Sequence, residues 1–479
     1  MQKDTVFKTT IGLEVHVELK TKTKMFCACK NDTDEKRPNI NICPVCMGHP
    51  GTLPVINKEA IKHVLKVGLS MGSKLADFSE FDRKNYFYPD IPKGYQISQY
   101  KYPLVSGGEL LGVDITRIHL EEDTARSSHD TGDYSLVDFN RAGVPLMELV
   151  TEPVMHSSTE VVKFGEELQL LLRYLGVSEV NMEKGEMRLE ANISIQRSDL
   201  RGGLKDNSQG LPLGIKVEVK NLNSFRAAER AIEYEIKRQT EILEAGEKVT
   251  QETRGWDEKN QATFSQRSKE DSHDYRYFPD PDLPKLKLSE IEDFKEEILR
   301  SEIKETPKDK RVRMKKDYDI KESDINFYIS NIKSGDLFEE AASNLDKKDF
   351  QLLSNYVVSD ITSLATDVSK IKGEQIAEVI KMIVSGDLSS RGAKDTIQVL
   401  VKDGGDPREI AQRAGFIQQN NKEELMLVVQ NIITQNPEIV EAYKGGKLSA
   451  IQFLVGQGMK ATNGSANPET LKELILKAI

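Results

Sequence analysis

The sequence has no apolar run that approaches the ~20 residues needed to span a bilayer. Its start, MQKDTVFKTT, lacks the basic and then apolar pattern of a secretory signal. It also lacks a general excess of positive charge, because 67 basic residues face 77 acidic ones and the net charge is −10. We therefore expect a soluble, cytoplasmic chain with no membrane partner. Any nucleic-acid surface would be a local patch or would be shared with another protein.

Familiar nucleotide-binding and amidase motifs are absent as well. The sequence contains no G-x-x-x-x-G-K-[ST] loop and no protein-kinase signature. The nearest glycine and lysine strings, SSRGAKD and KGGKLS, do not have the required spacing. The Ser-Ser-Lys constellation of amidases is also missing. Any phosphate chemistry must therefore use carboxylates and lysines that are arranged in another way.

Cysteine is scarce, and all four cysteines fall within one short window. Cys27 and Cys29 form a C-x-C pair, Cys43 and Cys46 form a C-P-V-C pair, and thirteen residues separate the pairs. A cytosolic chain has little use for disulfides, whereas two close thiolate pairs match a closed tetrahedral zinc site. The spacing predicts a structural zinc, because four thiolates leave no open position for catalysis. His49 lies close by and is not needed, and the alternative is four unconnected thiols.

Carboxylates are concentrated after two apparent strands. Glu121, Glu122 and Asp123 directly follow the first strand, and Glu148 and Glu152 follow the second. An acidic triplet repels itself unless water or cations neutralise it, and a hard ion such as Mg²⁺ accepts oxygen ligands from separate strands. Taken alone, the triplet is more typical of a solvated acidic turn.

Three segments alternate between apolar and polar residues. In TTIGLEVHVELKT, Glu14, His16 and Glu18 lie on one side of the predicted strand, and the other side is apolar. The same period recurs in MRLEANISI (187–195) and in GIKVEVKNLN (214–223). Together with the acidic triplet, these strands predict a polar sheet face lined with carboxylates, lysines and one histidine. Such a face suits metal-assisted phosphate chemistry.

The chain changes character near residue 295. Residues 1–294 mix short alternating strands with a few helices, among them one that runs from a cap at Ser158 to Gly176 and one that follows Ser224 and runs to Gly246. The pattern of residues 295–479 predicts successive helices, with an internal division near residue 405. The sequence thus predicts an α+β domain followed by an all-helical region.

Several longer motifs resemble one family, the B subunits of the aspartyl/glutamyl-tRNA(Asn/Gln) amidotransferases. They occur in the family's order from residue 11 to residue 468 and so cover nearly the whole chain. The motifs are IGLEVHVEL, FDRKNYFYPDIPKGYQISQY, LVDFNRAGVPLMELVTEP, DYRYFPDPDLP and FLVGQGMKATNGSANP. Because these motifs are long and unusual in composition, chance agreement is not a serious alternative.

The resemblance implies a subunit of a glutamine-dependent and ATP-dependent ligase. Such a subunit would phosphorylate the side-chain carboxylate of Glu-tRNA(Gln) or Asp-tRNA(Asn), and ammonia from glutamine would then attack the acyl phosphate. Release of ammonia would belong to an amidase, the A subunit, and a small C subunit would wrap the interface. The resemblance further implies a cradle-like, mixed or antiparallel sheet domain that uses Mg²⁺ and ATP. The helical region, including Lys447 and Lys460, would bind tRNA.

Five positions match the family's motifs for the metal and phosphoryl site. They are Glu14, His16, Glu121, Glu122 and Glu148. The resemblance implies that they converge on one or two Mg²⁺ ions, with His16, Glu122 and Glu148 as ligands. Within the family the zinc site is expected to pin its loop.

Lys84 and Tyr86, in the motif FDRKNYFYPD, are candidates for contacts to phosphate or to the acceptor end of tRNA.

Two other functions remain as alternatives. One is a non-catalytic tRNA-binding scaffold for an amidase partner, which the carboxylate cluster disfavours. The other is a zinc-stabilised nucleic-acid-binding protein without chemistry, which the acidic net charge disfavours. ATP hydrolysis that depends on mischarged tRNA would distinguish the enzyme from the scaffold, and the choice between the two tRNAs stays open.

Overall fold

The computed structural model describes residues 7–128, 132–197, 213–268, 275–364, 368, 371–418, 422–462 and 466–479. The chain divides into two compact units, Met1–Thr306 and Pro307–Ile479. Strands and a few helices form the first unit and helices form the second, so the predicted α+β domain with a following helical region is confirmed. Within the described ranges, no helix is both long and apolar enough to cross a membrane.

The described strands all lie in the first unit. In chain order they are β1 (Phe7–Glu18), β2 (Lys74–Leu75), β3 (Phe78–Ser79), β4 (Asp82–Asn85), β5 (Tyr95–Ser98), β6 (Val105–Ser106), β7 (Glu109–Leu110), β8 (Val113–Glu122), β9 (Arg126–Ser128), β10 (Leu136–Asp138), β11 (Pro145–Thr151), β12 (Met187–Arg197), β13 (Val217–Leu222), β14 (Glu252–Asp257), β15 (Ala262–Ser268), β16 (Phe278–Pro279) and β17 (Leu286–Lys287).

The helices of the first unit are α1 (Lys58–Ser70), α2 (Ser158–Tyr174), α3 (Phe225–Glu244) and α4 (Glu296–Glu302). Those of the second unit are α5 (Pro307–Tyr318), α6 (Glu322–Ser330), α7 (Ile332–Ala342), α8 (Phe350–Asn355), α9 (Thr362–Leu364), α10 (Gly373–Val384), α11 (Ser390–Asp403), α12 (Pro407–Arg413), α13 (Lys422–Gln435), α14 (Pro437–Lys444), α15 (Ala450–Ala461) and α16 (Pro468–Ala478). A π-helical segment, Tyr356–Ile361, joins α8 to α9.

Most strands belong to one large mixed sheet. Its order is β15-β14-β13-β12-β1-β11-β8-β6-β2, and β7 also pairs with β8. Neighbouring strands are antiparallel except β13 and β14, which are parallel. A three-stranded sheet, β16-β4-β5, and two two-stranded ribbons complete the described strands. The long strands β1, β8, β11 and β12 are therefore adjacent at the centre of the large sheet.

The large sheet has one apolar and one polar face. Alternate residues of β1 from Ile11 to Val17 are almost fully buried and belong to the same core as Leu65 of α1 and Phe164 of α2. Burial of each such side chain stabilises the fold by about 1.5–3 kcal/mol. Because successive strand residues point to opposite faces, the polar residues between them project to the other side.

Two predicted helices of the first unit are confirmed, each with a capped start. The side chain of Ser224 accepts a hydrogen bond from the backbone N–H of Ala227 at the start of α3. At α2 the cap is Ser157, one residue earlier than predicted, and it accepts from the N–H of Glu160. Loss of such a cap costs about 0.5–2 kcal/mol.

The last four helices of the second unit share a core of their own. Leu425, Val429, Leu454 and Leu471, from α13, α15 and α16, are buried together in it. Helix α12, which follows residue 405, packs on α10 and α11. A division of the helical region near residue 405 stays a prediction.

Candidate active site

A row of charged side chains crosses the polar face of the large sheet. His16 of β1 lies opposite Glu148 of β11 on one side and opposite Arg188 of β12 on the other. Glu148 in turn lies opposite His119 of β8. Because residues paired across antiparallel strands project from the same face, these four side chains form a line over four neighbouring strands. They line an open cavity of about 400 Å³.

The centre of this row is a histidine–carboxylate cluster. Nε2 of His16 lies 3.5 Å from Oε2 of Glu148 and 3.9 Å from Oε1 of Glu121. Nε2 of His119 lies 3.3 Å from the same oxygen of Glu148. His16, Glu121 and Glu148 each offer one ligand atom within 4.8 Å of the others, so a single ion can contact all three. Two carboxylates and an imidazole are a suitable donor set for a divalent cation that keeps water or phosphate ligands.

The groups of this cluster stabilise one another's charges. Burial alone would lower the pKa of His16, but the hydrogen bond and the charge of Glu148, followed by the charges of Glu121 and Glu190, raise it to about 9. Burial would raise the pKa of Glu148, but the imidazoles of His119 and His16 hold it well below its usual range. A divalent cation bound by these carboxylates would therefore compete with the proton of His16.

Glu14 belongs to a neighbouring acidic cluster on the same face. Glu14 lies opposite Glu190 of β12. One carboxylate oxygen from each of Glu14, Glu190 and Glu218 of β13 lies within 4.8 Å of the other two. Nζ of Lys220 lies 2.9 Å from Glu190 and 3.7 Å from Glu218. Burial would raise the pKa of Glu190, but the charges of Lys220 and then His16 lower it. The cavity therefore contains a second group of oxygen ligands, with a lysine beside it.

Lys84 and Tyr86 form one wall of the cavity. Nζ of Lys84 lies 4.0 Å from Oε2 of Glu121, and 5.2 and 5.7 Å from the ring centroids of Tyr275 and Tyr86. Burial would lower the pKa of Lys84, but the charge of Glu121 raises it, so the ammonium persists at neutral pH. The hydroxyl of Tyr86 donates to Oε1 of Gln96 at 2.8 Å. This wall places a positive charge beside the carboxylate cluster, where it can contact a phosphate oxygen.

The four cysteines meet outside the lining of this cavity. One sulfur from each of Cys27, Cys29, Cys43 and Cys46 lies within 4.8 Å of the others, and the Sγ atoms of Cys43 and Cys46 are 3.9 Å apart. Sulfurs about 3.8 Å apart surround a tetrahedral zinc with bonds of about 2.3 Å. The hydrogen bond with Cys27 lowers the pKa of Cys46 to about 5, and the Lys24 ammonium also lowers it. The donor set fits a closed zinc site.

Both units of the chain resemble known proteins. Residues 9–292 match the family model of the GatB/GatE catalytic domain, and residues 336–479 match that of the GatB domain. The chain belongs to the GatB family. Relatives named as the B subunit of aspartyl/glutamyl-tRNA(Asn/Gln) amidotransferase include one from Carboxydothermus hydrogenoformans, which is 41% identical over 98% of each chain. Others are from Thermotoga neapolitana, 42% identical over 99% of each chain, and Crocosphaera subtropica, 39% identical over 99% of this chain and 98% of the relative.

In this GatB family member, the two adjacent glutamates at the end of β8 point in opposite directions. Glu121 faces His16, whereas Glu122 accepts the backbone N–H of Ile97 at 2.9 Å and contacts the ammonium of Lys93. Successive residues of a strand project to opposite faces, so both cannot reach one ion. Of the two glutamates predicted for the site, the structure therefore brings Glu121 to the cluster and does not bring Glu122 there.

The cavity of this GatB family protein also contains a residue that was not predicted from the sequence. His119 contacts Glu148, and its Nδ1 is buried with no hydrogen-bond partner among the described residues. It precedes Glu121 by two positions, and this spacing alone would have placed both side chains on one face. Arg188, Glu190 and Glu218 were recognised only as members of polar strand faces, and the structure brings all three to the cavity.

Arg188, at the end of the row, belongs to a buried network of two carboxylates and two arginines. Oδ2 of Asp123 is 2.7 Å from Nη2 of Arg188 and 3.3 Å from Nε of Arg141. Burial would raise the pKa of Asp123, but the two arginines hold it below its usual value. For Glu18, burial and then the charge of Asp123 raise the pKa to about 8, against the lowering effect of the arginines. Glu18 is therefore mostly protonated at neutral pH.

The raised pKa of Glu18 predicts a loss of stability as the pH rises from about 4.5 to about 8. Between the unfolded value of 4.5 and the folded value of about 8, the folded chain holds a proton that the unfolded chain has lost. The free energy of unfolding therefore falls as pH rises through this window. We expect Glu18→Gln, which cannot ionise, to lose less stability than the wild type between about pH 6 and pH 9. Urea midpoints measured across this range test the difference.

The control for this experiment is Glu179→Gln, at an exposed carboxylate. It should follow the wild-type curve, because the network does not contain it. Asp123 adds little in this window, since a lowered pKa affects stability only at acid pH. If the urea midpoints of the wild type and of Glu18→Gln fall in parallel as the pH rises, the assignment of the proton to Glu18 is contradicted.

Proposed function

We propose that this protein is the transamidation subunit of an aminoacyl-tRNA amidotransferase. A side-chain carboxylate oxygen of Glu-tRNA(Gln) or Asp-tRNA(Asn) attacks the γ-phosphorus of ATP, and ADP leaves. Ammonia produced from glutamine by an amidase partner then attacks the acyl phosphate, and inorganic phosphate leaves as the amide forms. The observation that carries this proposal is that relatives named as such subunits match 98–99% of the chain. The match includes the strands that hold His16 and Glu148.

The carboxylates of the cavity suit the binding of metal ions. His16, Glu121 and Glu148 would hold one Mg²⁺, and the acidic cluster around Glu14 would hold a second. Bound Mg²⁺ would neutralise and align phosphate oxygens during transfer. The imidazole of His119 contacts Glu148 and would keep that carboxylate oriented toward His16.

Two cations flank the histidine–carboxylate cluster and can receive the two anionic substrates. Lys84 lies beside Glu121, and we assign it to phosphate oxygens of ATP. Arg188 lies on the far side of His16, and its Nη2 is paired with Asp123. The side chain of Arg188 lines the cavity and is 34% exposed, and we assign the part of its guanidinium that Asp123 leaves open to the incoming carboxylate, because a guanidinium binds carboxylates well. The two substrates would then meet above the row of side chains that crosses the sheet.

The remaining features support a division of labour within a larger complex. The first unit would carry the chemistry and the helical second unit would carry tRNA affinity. An amidase, the A subunit, would supply ammonia, and a small C subunit would complete a heterotrimer. Zinc at the four cysteines would pin their loop, and the tRNA substrate implies a cytoplasmic location. No feature of the described residues favours a scaffold without chemistry.

The decisive experiment is ATP turnover by the reconstituted complex on each mischarged tRNA. We expect hydrolysis of ATP only when Glu-tRNA(Gln) or Asp-tRNA(Asn) is present, with formation of the matching amide. The same assay shows which tRNA is the substrate. Amide formation without ATP turnover, or no response to either tRNA, would contradict the proposal.

Lysines of the last helices should contribute to tRNA affinity through phosphate contacts. Lys447 and Lys460 are both exposed. Each lysine that contacts a phosphate steepens the salt dependence of binding, so removal of both should lower the slope of log K against log salt by about 2. Titration of Lys447→Ala/Lys460→Ala with tRNA at roughly 50–200 mM salt measures this slope. An exposed lysine of the first unit provides the control Lys248→Ala, and an equal change in that variant would argue against a specific surface.

A further inference from the structure

Two stacked tyrosines stand at the wall of the active-site cavity. The rings of Tyr100 and Tyr277 are 4.5 Å apart between centroids and are inclined by only 13°. Tyr277 covers one face of Tyr100, yet Tyr100 remains 62% exposed. Both residues line the cavity, so the second face of Tyr100 is open to a ligand there. A flat exposed ring with a backing ring is a ready stacking surface.

The pair is held in place by the small sheet β16-β4-β5. The backbone N–H of Tyr100 donates to Oδ2 of Asp82 in β4 at 3.0 Å. Tyr277 directly precedes β16, whose Pro279 pairs with the same Asp82. Because both tyrosines are anchored to one strand, the platform exists before a ligand arrives, and little ordering cost is left for binding.

The platform is continuous with the phosphate side of the cavity. The ring centroids of Tyr277 and Tyr275 are 6.1 Å apart, and Nζ of Lys84 lies 5.2 Å from the ring centroid of Tyr275. Nζ of Lys84 is in turn 4.0 Å from Oε2 of Glu121 in the histidine–carboxylate cluster. The wall therefore runs from aromatic rings to a cation and then to carboxylates. This is the order in which a nucleotide presents its base, its phosphates and a phosphate-bound metal.

We propose that Tyr100 and Tyr277 form a stacking platform for an adenine ring at this site, a proposal that rests on the proposed function. Adenine is common to both substrates, because ATP carries it and the 3′ end of tRNA terminates in adenosine. With ATP on the platform, Lys84 meets the phosphates. With the terminal adenosine on it, the attached amino acid reaches toward the carboxylate cluster. One stacked base contributes about 1–3 kcal/mol by alanine substitution, which corresponds to roughly 5- to 150-fold in affinity.

The test uses 2-aminopurine, an adenine analogue whose fluorescence is quenched when it stacks. The full-length chain in its complex is titrated with 2-aminopurine riboside triphosphate. In a separate arm it is titrated with an RNA microhelix that carries 2-aminopurine as its 3′-terminal base. We expect quenching in one arm, and that arm identifies the source of the base. Tyr100→Ala should weaken binding of the quenched probe about 5- to 150-fold, whereas Tyr100→Phe, which keeps the ring, should bind like the wild type.

An exposed tyrosine that does not line the cavity supplies the matched control, Tyr134→Ala, which should leave quenching unchanged. Absence of quenching in both arms, or equal affinity in Tyr100→Ala and the wild type, would overturn the platform. An equal loss in Tyr134→Ala would overturn it too. Turnover of ATP by the wild-type complex is measured in the same preparation. Because quenching does not require turnover, failure of the platform and failure of the proposed function give different results.

Discussion

Replacement of Glu148 by glutamine is expected to lower tRNA-dependent ATP turnover by about 10²–10³-fold. Glu148 contacts both His16 and His119 and offers an oxygen to the histidine–carboxylate cluster, which we propose to hold Mg²⁺. Positioning and electrostatics supply most of the rate in phosphoryl transfer, so loss of one preorganised charge removes about 2.7–4 kcal/mol of stabilisation. His16→Ala should have an effect of the same order. Single-turnover assays of ATP hydrolysis and amide formation by the assembled complex measure both variants.

The control for this experiment lies just beyond the same strand. Glu152 follows β11 and accepts a hydrogen bond from Thr116, outside the cavity lining. Glu152→Gln should therefore keep nearly wild-type turnover. Glutaminase activity should be unaffected in all variants, since the proposed amidase partner would carry it. If Glu148→Gln and His16→Ala both keep wild-type turnover, the site is elsewhere and the scaffold function becomes the better explanation.

The four-cysteine site should bind about one zinc per chain, and Cys46→Ser should abolish it. Four converging sulfurs give a complete tetrahedral shell, and structural zinc in small domains is worth about 10–16 kcal/mol of apparent binding free energy at neutral pH. We therefore expect the first unit to unfold at a lower temperature in Cys46→Ser and after chelation. Metal analysis and thermal denaturation of the purified protein measure the two effects.

His49 separates a four-cysteine site from one that uses a nearby histidine. It lies three residues after Cys46, but it is not a member of the sulfur cluster. His49→Ala should therefore keep its zinc. Less than about half an equivalent of zinc in the wild type, with all four thiols open to titration, would exclude the site.

The parts of the site that depend on local spacing could be predicted from the sequence. The period of two in β1 identifies its buried residues from Ile11 to Val17, and it places Glu14 and His16 on the opposite face. The close cysteine pairs likewise identify the sulfur cluster. In both cases the deciding interaction extends over a few residues, so the pattern of residue types carries it.

The face of the glutamates in β8 could not be predicted in the same way. The register between β8 and β11 shifts next to Thr151, opposite Ile115. Ile115, Ile118 and Leu120 are buried positions of β8. The interval of three residues between Ile115 and Ile118 breaks the period of two. Only a count forward by one position from the buried Leu120 assigns Glu121 to the polar face. The pairing of β1 with β11 also joins segments more than a hundred residues apart, and local patterns do not determine such pairing.

The construction of the site across paired strands limits how this protein can change during evolution. A residue inserted before His16 in β1 would shift every following side chain to the other face, so that Val17 would enter the cavity and His16 and Glu18 would enter the core. Side chains of the row can be exchanged one at a time, whereas strand lengths between the paired positions cannot vary. The register shift of β11 lies at Val150 and Thr151, beyond Glu148. Gains and losses of residues should therefore accumulate in the connecting loops, and the spacing from Glu14 to Glu18 should stay constant.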